Sequence, residues 1–269
     1  MRREIETDFF EPPKPRAFGH RGSAGTHPEN TLESFAAAVA AGARYLELDI
    51  HLTRDGQIVV SHDHDLFAAT GRHALISELD GAELDGFDAG FAFKSAAGTF
   101  PFRDRGLRIP KLAEVLNSFP DRFFIVEIKQ TKPSLVRQLL EVIDCAGMRR
   151  RVLIASEHQE PLSATRRIAP DLPTNLSALE VGLFVQGMPS RMIGYQPPGD
   201  AIQIPPEYGS FKLVTAESVA AAHQVGLEMH VWTVNLQSEM ESMLSMGVDG
   251  IISDYPQRLL EVVAQLRLK

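Results

Sequence analysis

The chain has 269 residues, of which 44% are hydrophobic and 23% charged, and a formal net charge of −8. That composition describes an ordinary folded protein with ample core, in one large domain or two small ones. The acidic balance argues against a broad nucleic-acid surface, no apolar run reaches the roughly 18 residues of a stable membrane insertion, and the single cysteine, Cys145, excludes an internal disulfide.

Residues 1–15 are charged and proline-rich and lack the apolar centre of a signal peptide, so a cytoplasmic protein is the default expectation. Strand patterns follow at 16–19, 43–51, 57–61, 122–129, 152–155, 172–176, 201–204, 228–234 and 250–253, with helical patterns between most of them. The alanine-rich 31–41 reads as a helix capped by Asn30 and closed by Gly42. Further helices are expected at 134–145, 216–225, 238–246 and 257–268, with Cys145 on or near the apolar side of the first as a small buried hydrophobe.

Strands that alternate with helices pair in parallel through right-handed crossovers. Only 57–61 breaks the rhythm. It follows Asp55-Gly56, a hairpin signal, and lies too close to 43–51 for a crossover helix, so it should run back antiparallel. Eight parallel strands then remain, the number in a closed (β/α)8 TIM barrel, and the length fits. The fold expected is α/β, one domain spanning 1–269, with a small insertion after the second-strand hairpin. That insertion, at about 66–108, is irregular and holds Phe87, Phe91, Phe93, Phe100 and Phe102. It reads either as a subdomain over the barrel mouth or as an ordinary packed excursion.

Glu47 and Asp49 stand two apart in the apolar run 45–52, so both point the same way from a strand. Buried anions on one face require a positive partner. Glu127 ends the neighbouring apolar run 123–126. Three carboxylates without cysteine ligands suit one hard divalent cation, Mg²⁺ or Ca²⁺; the competing reading is a set of buried ion pairs with Arg21 and Lys129. The hairpin sets His62 opposite Asp49 if Arg54 pairs with Gln57, or opposite Glu47 with a four-residue turn. His20 ends the first strand. Two imidazoles flanking a bound phosphate would meet the need for a base toward the nucleophile and an acid toward the leaving alkoxide, with neither role assigned to either ring. Arg21 and Lys129 offer charge to phosphate oxygens. Trp232 is either an apolar wall for substrate or a core residue. His64, His73, His158, His223 and His230 show no convergent partners and read as structural or surface residues.

Six segments in register then resemble the glycerophosphodiester phosphodiesterase family: GHRGSAGTHPENTLESF at 19–35, GARYLELDIHLTRDGQIVVSHD at 42–63, IPKLAEVL at 109–116, IVEIK at 125–129, HVWTVN at 230–235 and GVDGIISDYP at 247–256. The resemblance implies a (β/α)8 barrel, His20 and His62 as the acid–base pair, and Glu47, Asp49 and Glu127 as metal ligands. It implies that Arg21, Lys129 and Trp232 contact a small-molecule glycerophosphodiester, which is cleaved to glycerol 3-phosphate and an alcohol such as choline or ethanolamine. Two departures, Arg44 where the family often carries an acid or asparagine and the loosely matching 157–199, leave substrate preference open. A lysophospholipase D-type or sphingolipid phosphodiesterase on the same barrel is the nearest alternative. A catalytically silent barrel would have lost at least one of the five central side chains, and all five are present.

Overall fold

The computed structural model describes residues 5–188 and 194–267. Residues 1–4, residues 189–193 of the loosely matching middle region, and residue 268 of the expected last helix lie outside them. In chain order the first half runs β1 (Arg16–Gly19), α1 (Leu32–Ala40), β2 (Tyr45–Leu52), β3 (Ile58–Val60), α2 (Phe67–Thr70), α3 (Leu112–Ser118), β4 (Phe123–Ile128) and α4 (Val136–Cys145). There follow β5 (Val152–Ala155), α5 (Gln159–Ile168), α6 (Ala178–Gly187), β6 (Ala201–Ile204), β7 (Glu207–Tyr208) and β8 (Phe211–Lys212). The chain continues with α7 (Ala216–Gln224), β9 (Glu228–Val231), α8 (Gln237–Ser245), β10 (Gly250–Ser253) and α9 (Pro256–Arg267).

The main sheet is ordered β5-β4-β2-β1-β10-β9-β6, all parallel, with β3 antiparallel on β2. Its two edges meet through single bridges, Ile154 to Thr174 and Asn175 to Ala201, which close the curled sheet into a (β/α)8 barrel. The strand expected at 172–176 is thus reduced to two bridged residues. Pro173 supplies no N–H, and the Thr174 N–H donates to Asp200 Oδ2 rather than along a ladder.

Alternation on β2 sorts the core. Leu46, Leu48, Ile50 and Leu52 face outward against residues of α1, α3 and α4. Tyr45 faces the lumen with Phe18, Phe123, Ile125, Leu153 and Ile252, and Phe9 plugs this interior from below. Each fully buried side chain of this kind contributes about 2 kcal/mol of apolar transfer free energy. Because the pleat has period two, Glu47 and Asp49 share the lumenal face with Tyr45, above the apolar floor.

Three local expectations are corrected. The hairpin takes neither proposed register. Its ladder pairs Ile50 with Val60, His51 with Val59 and Leu52 with Ile58, and the turn is closed by Gly56 at φ 81°, a left-handed position that glycine adopts at no steric cost. Helix α1 is capped by Thr31, whose hydroxyl accepts from the Ser34 N–H, and not by Asn30. Cys145 is exposed, because the buried face of α4 is Val136, Leu139, Leu140 and Ile143, and a residue two beyond Ile143 points the other way.

The segment 66–108 holds α2 and short turns, and packs Leu66, Ile76, Leu84, Phe87, Ala89 and Leu107 with Val59 and Ile109 into a small apolar cluster of its own. Phe67 and Phe100 stay 50% and 41% exposed. Among the described residues no helix is long and apolar enough to cross a membrane.

Candidate active site

Glu47, Asp49 and Glu127 meet at the C-terminal end of the barrel, each offering a carboxylate oxygen within 4.8 Å of the others. Asp49 pairs with Glu127 across the β2–β4 ladder, which puts the two side chains on one face. All three are largely buried, and their charges are unequally balanced. Burial opposes the charge on Asp49, but Arg21, Lys129 and a hydrogen bond from Asn30 outweigh it and hold the carboxyl below its ordinary range. Burial and the charge of Asp49 push Glu47 up to about 8, so it is largely protonated near neutrality. Glu127 is raised for the same two reasons.

The basic groups crowd the same space. Lys129 Nζ lies 3.0 Å from Glu127 Oε1 and 3.3 Å from Asp49 Oδ1. Arg21 Nε is 3.2 Å from Asp49 Oδ2, while Nη1 reaches Glu29 at 2.8 Å. The arginine therefore neutralises Asp49 rather than Glu47, which instead accepts from the Arg21 backbone N–H at 3.0 Å. Arg21 Nε is buried without a hydrogen bond, since its approach to Asp49 is badly angled. A buried donor left unused beside three carboxylates fits a site completed by an anionic ligand and a cation. The all-oxygen donor set fits a hard divalent ion.

Two residues in left-handed backbone conformation frame this arrangement, Arg21 at φ 49° and Asn30 at φ 58°. The Asn30 N–H donates to the Arg21 carbonyl at 3.0 Å, and its side-chain amide donates to Asp49 Oδ2 at 2.9 Å. Gly22 permits the turn, because a Cβ there would stand 2.5 Å from the backbone of Ser34.

His20 and His62 occupy opposite flanks. His20 Nδ1 lies 2.6 Å from Asp254 Oδ1, and Nε2 lies 3.9 Å from Glu47 Oε2. Asp254 is itself held by the Asn235 amide at 2.6 Å and by its own N–H donating to Asn235 Oδ1. Burial opposes protonation of His20, but its hydrogen bond to Asp254 prevails and raises its proton affinity, with Glu47 adding to the effect only where that carboxyl is ionised. His62 follows the end of the β3 ladder, with Nδ1 2.8 Å from Asp63 Oδ1. It lines a cavity with Glu127 and Lys129.

Trp232 sits just past β9, 36% exposed, its N–H bonded to the Ile204 carbonyl. It is thus on the rim, two strands from β1, rather than in the core. His64 and His158, expected to lack partners, line the same cavity as His62, because the tops of β3 and β5 converge over β4. His73 lies against Asp65, His223 against Asp249, and His230 is buried beside Glu228. Asp254 and Asn235 are not among the residues expected from sequence. Their signal was position: Asp254 directly follows an apolar strand, as His20 does.

A closed (β/α)8 barrel with this acidic cluster at its C-terminal mouth defines the class, an enzyme of phosphoric diester hydrolysis once its relatives are compared. The chain matches the glycerophosphoryl diester phosphodiesterase family over residues 20–258 and belongs to that family. It is 31% identical over 256 residues to a glycerophosphodiester phosphodiesterase of Caldanaerobacter subterraneus, covering 93% of this chain and 98% of that one. It is 27% identical over 275 residues to a lysophospholipase D of Mus musculus, covering 91% of this chain and 84% of the other. The crystal structure of a putative glycerophosphoryl diester phosphodiesterase from Silicibacter pomeroyi superposes with a TM-score of 0.76 at 29% identity, covering 95% of both chains.

Proposed function

We propose that the protein hydrolyses small glycerophosphodiesters, such as glycerophosphocholine or glycerophosphoethanolamine, to glycerol 3-phosphate and the free alcohol. Glu47, Asp49 and Glu127 would hold one divalent cation, Mg²⁺ or Ca²⁺. The observation that carries this reading is the convergence of three carboxylates within 4.8 Å, flanked by His20, His62, Arg21 and Lys129. When bound, the cation supplies positive charge to the phosphoryl oxygens.

Arg21 and Lys129 bind phosphate oxygens and meet the negative charge that grows on them in the transition state. Asp254 occupies His20 Nδ1, which leaves Nε2 as the nitrogen that handles the proton. Asp63 does the same for His62. One imidazole takes the proton of the nucleophile as its oxygen bonds to phosphorus. The other gives a proton to the alkoxide as the second phosphorus–oxygen bond breaks. If the nucleophile is the glycerol 2-hydroxyl, the product is a cyclic phosphate that water opens in a second step; if it is water, hydrolysis is direct. Proximity favours the internal hydroxyl. Trp232 supplies an apolar wall on the far rim.

The test is a panel of glycerophosphodiesters assayed with each metal after chelation. Turnover that returns with one divalent ion supports the reading, and no turnover of any diester by fully loaded protein ends it. The exposure of Phe67 and Phe100 favours a second reading, a lysophospholipase D that seats an acyl chain on the 66–108 segment. Parallel assays of glycerophosphocholine and lysophosphatidylcholine separate the two.

A further inference from the structure

The large apolar side chains that stay exposed are unevenly placed. Among the described residues there are ten, and seven stand on connections that leave the C-terminal ends of the strands, around the barrel mouth. Leu183 is one turn farther along α6, and Ile168 and Leu266 lie at the opposite end, where α5 and α9 finish.

The greatest exposure is on the hairpin β7–β8, between β6 and α7, where Tyr208 is 76% and Phe211 73% exposed. The two rings pair directly across the ladder, and Glu207 pairs with Lys212 beside them. Pleating sends the two pairs to opposite faces, so the hairpin has an aromatic face and a face with one charge of each sign. Its turn stands clear of the body. Gly209 takes φ 59°, and a Cβ there would meet nothing within 4 Å. Because β6 pairs with β9, the hairpin neighbours the connection after β9, which runs from Trp232 to Gln237 without a charge and leaves Leu236 exposed. Phe67 and Phe100 belong to the 66–108 segment, which packs on the 24–29 loop of the mouth. Leu179 lies in the first turn of α6, whose first N–H bonds to the Glu157 carbonyl after β5.

Single exposed apolar groups are ordinary, but their concentration at one end marks a surface that something covers. Their arrangement selects the partner. They come from four separate connections with the polar opening of the site between them, so they form no continuous apolar centre of the kind a protein interface needs. A fluid lipid surface takes such anchors one by one, and tryptophan and tyrosine are the side chains that settle at its headgroup boundary. Charge narrows the surface further. The hairpin balances Glu207 with Lys212, the 232–237 connection is uncharged, and the whole chain carries −8. Such a rim suits a zwitterionic surface and is repelled by an anionic one.

We propose that the barrel mouth rests on a zwitterionic lipid surface, with the β7–β8 tip and Leu236 dipped into the headgroup layer. This goes beyond the phosphodiesterase reading and is tested apart from it, since binding is read without turnover.

The experiment titrates the full chain, in Mg²⁺, with unilamellar phosphatidylcholine vesicles. Trp232 is the only tryptophan, so its emission reports this rim alone. Binding should shift that emission to the blue and let brominated acyl chains quench it. Tyr208→Ser with Phe211→Ser should weaken partition about 10-fold, the order expected for two partly inserted rings. Ile168→Ser with Leu266→Ser, at the opposite end, should leave it unchanged. Melting curves show whether each variant folds, and Leu236→Ser replaces the hairpin pair if that one does not. Wild type that ignores vesicles at millimolar lipid overturns the proposal, as does an affinity unmoved by the rim substitutions or lowered equally at the opposite end. Tighter binding to phosphatidylglycerol vesicles overturns it too. Self-association that the hairpin substitutions abolish, without vesicle binding, assigns the face to a second copy and likewise overturns it. Vesicle binding by protein that hydrolyses no diester ends the phosphodiesterase reading and leaves the docking surface standing.

Discussion

His20 Nδ1 and Asp254 Oδ1 lie 2.6 Å apart, joining the C-terminal end of β1 to that of β10. The Asp254 carboxylate stabilises the imidazolium, and Asn235 aims it. Asp254→Asn should lower the proton affinity of His20 and leave Nδ1 facing an amide. The pH–rate limb that belongs to His20 should move to lower pH, and kcat should fall about 100-fold or more. A limb that stays in place would show that the pair only holds the strands together.

The same pair carries a stability signature. His20 is held above its ordinary value, so its contribution is complete below that value and lost as pH rises through the raised one. Asp254 is held below its ordinary value, burial opposing and the His20 bond prevailing, so its contribution is present above the ordinary carboxylate range and lost as pH falls through the lowered one. Asp254→Asn should therefore lower Tm most in the window between the two and least in strong acid or alkali. Melting curves across pH check this.

Metal loading should release protons. Glu47 sits at about 8 without a cation, so at neutral pH a divalent ion must displace its proton. Apparent affinity should rise with pH up to that value and level off above it. Calorimetry in buffers of different ionisation enthalpy measures the proton count, and chelation should abolish turnover.

Glu47 and Asp49 should differ sharply when neutralised in metal-free protein. Glu47→Gln replaces a group already mostly protonated and should leave stability nearly unchanged. Asp49→Asn strips Arg21 and Lys129 of a buried counter-ion and should cost about 3 kcal/mol. Both should eliminate turnover. Denaturant titrations of the two variants make the comparison.

Asn30 combines a left-handed backbone with a hydrogen bond to Asp49. Asn30→Ala loses both the bond and the tolerance for positive φ, and should cost about 2 kcal/mol. Asn30→Gly keeps the backbone at ease and should cost less. Equal losses would mean that the hydrogen bond alone matters.

Much of this was readable in the chain itself. The two-residue spacing of Glu47 and Asp49 within an apolar run, and Glu127 at the end of the next parallel strand, marked one acidic face at a strand end. Seven of eight barrel strands and the antiparallel hairpin followed from periodicity and the Asp55-Gly56 turn. Asn30 was misread because a polar residue before a helix fits a cap equally well. Its left-handed backbone turns the side chain to Asp49 and leaves Thr31 to cap α1.

Periodicity reports which face of an element is buried, because alternation and amphipathicity are local properties of the backbone. It does not report which faces meet. Only ring closure through Thr174 and Asn175, and the register of each strand pair, set Asp254 against His20 and His158 and Glu157 across from His62. Those neighbours come from distant stretches of the chain, and their electrostatics exist only once the barrel has drawn them together.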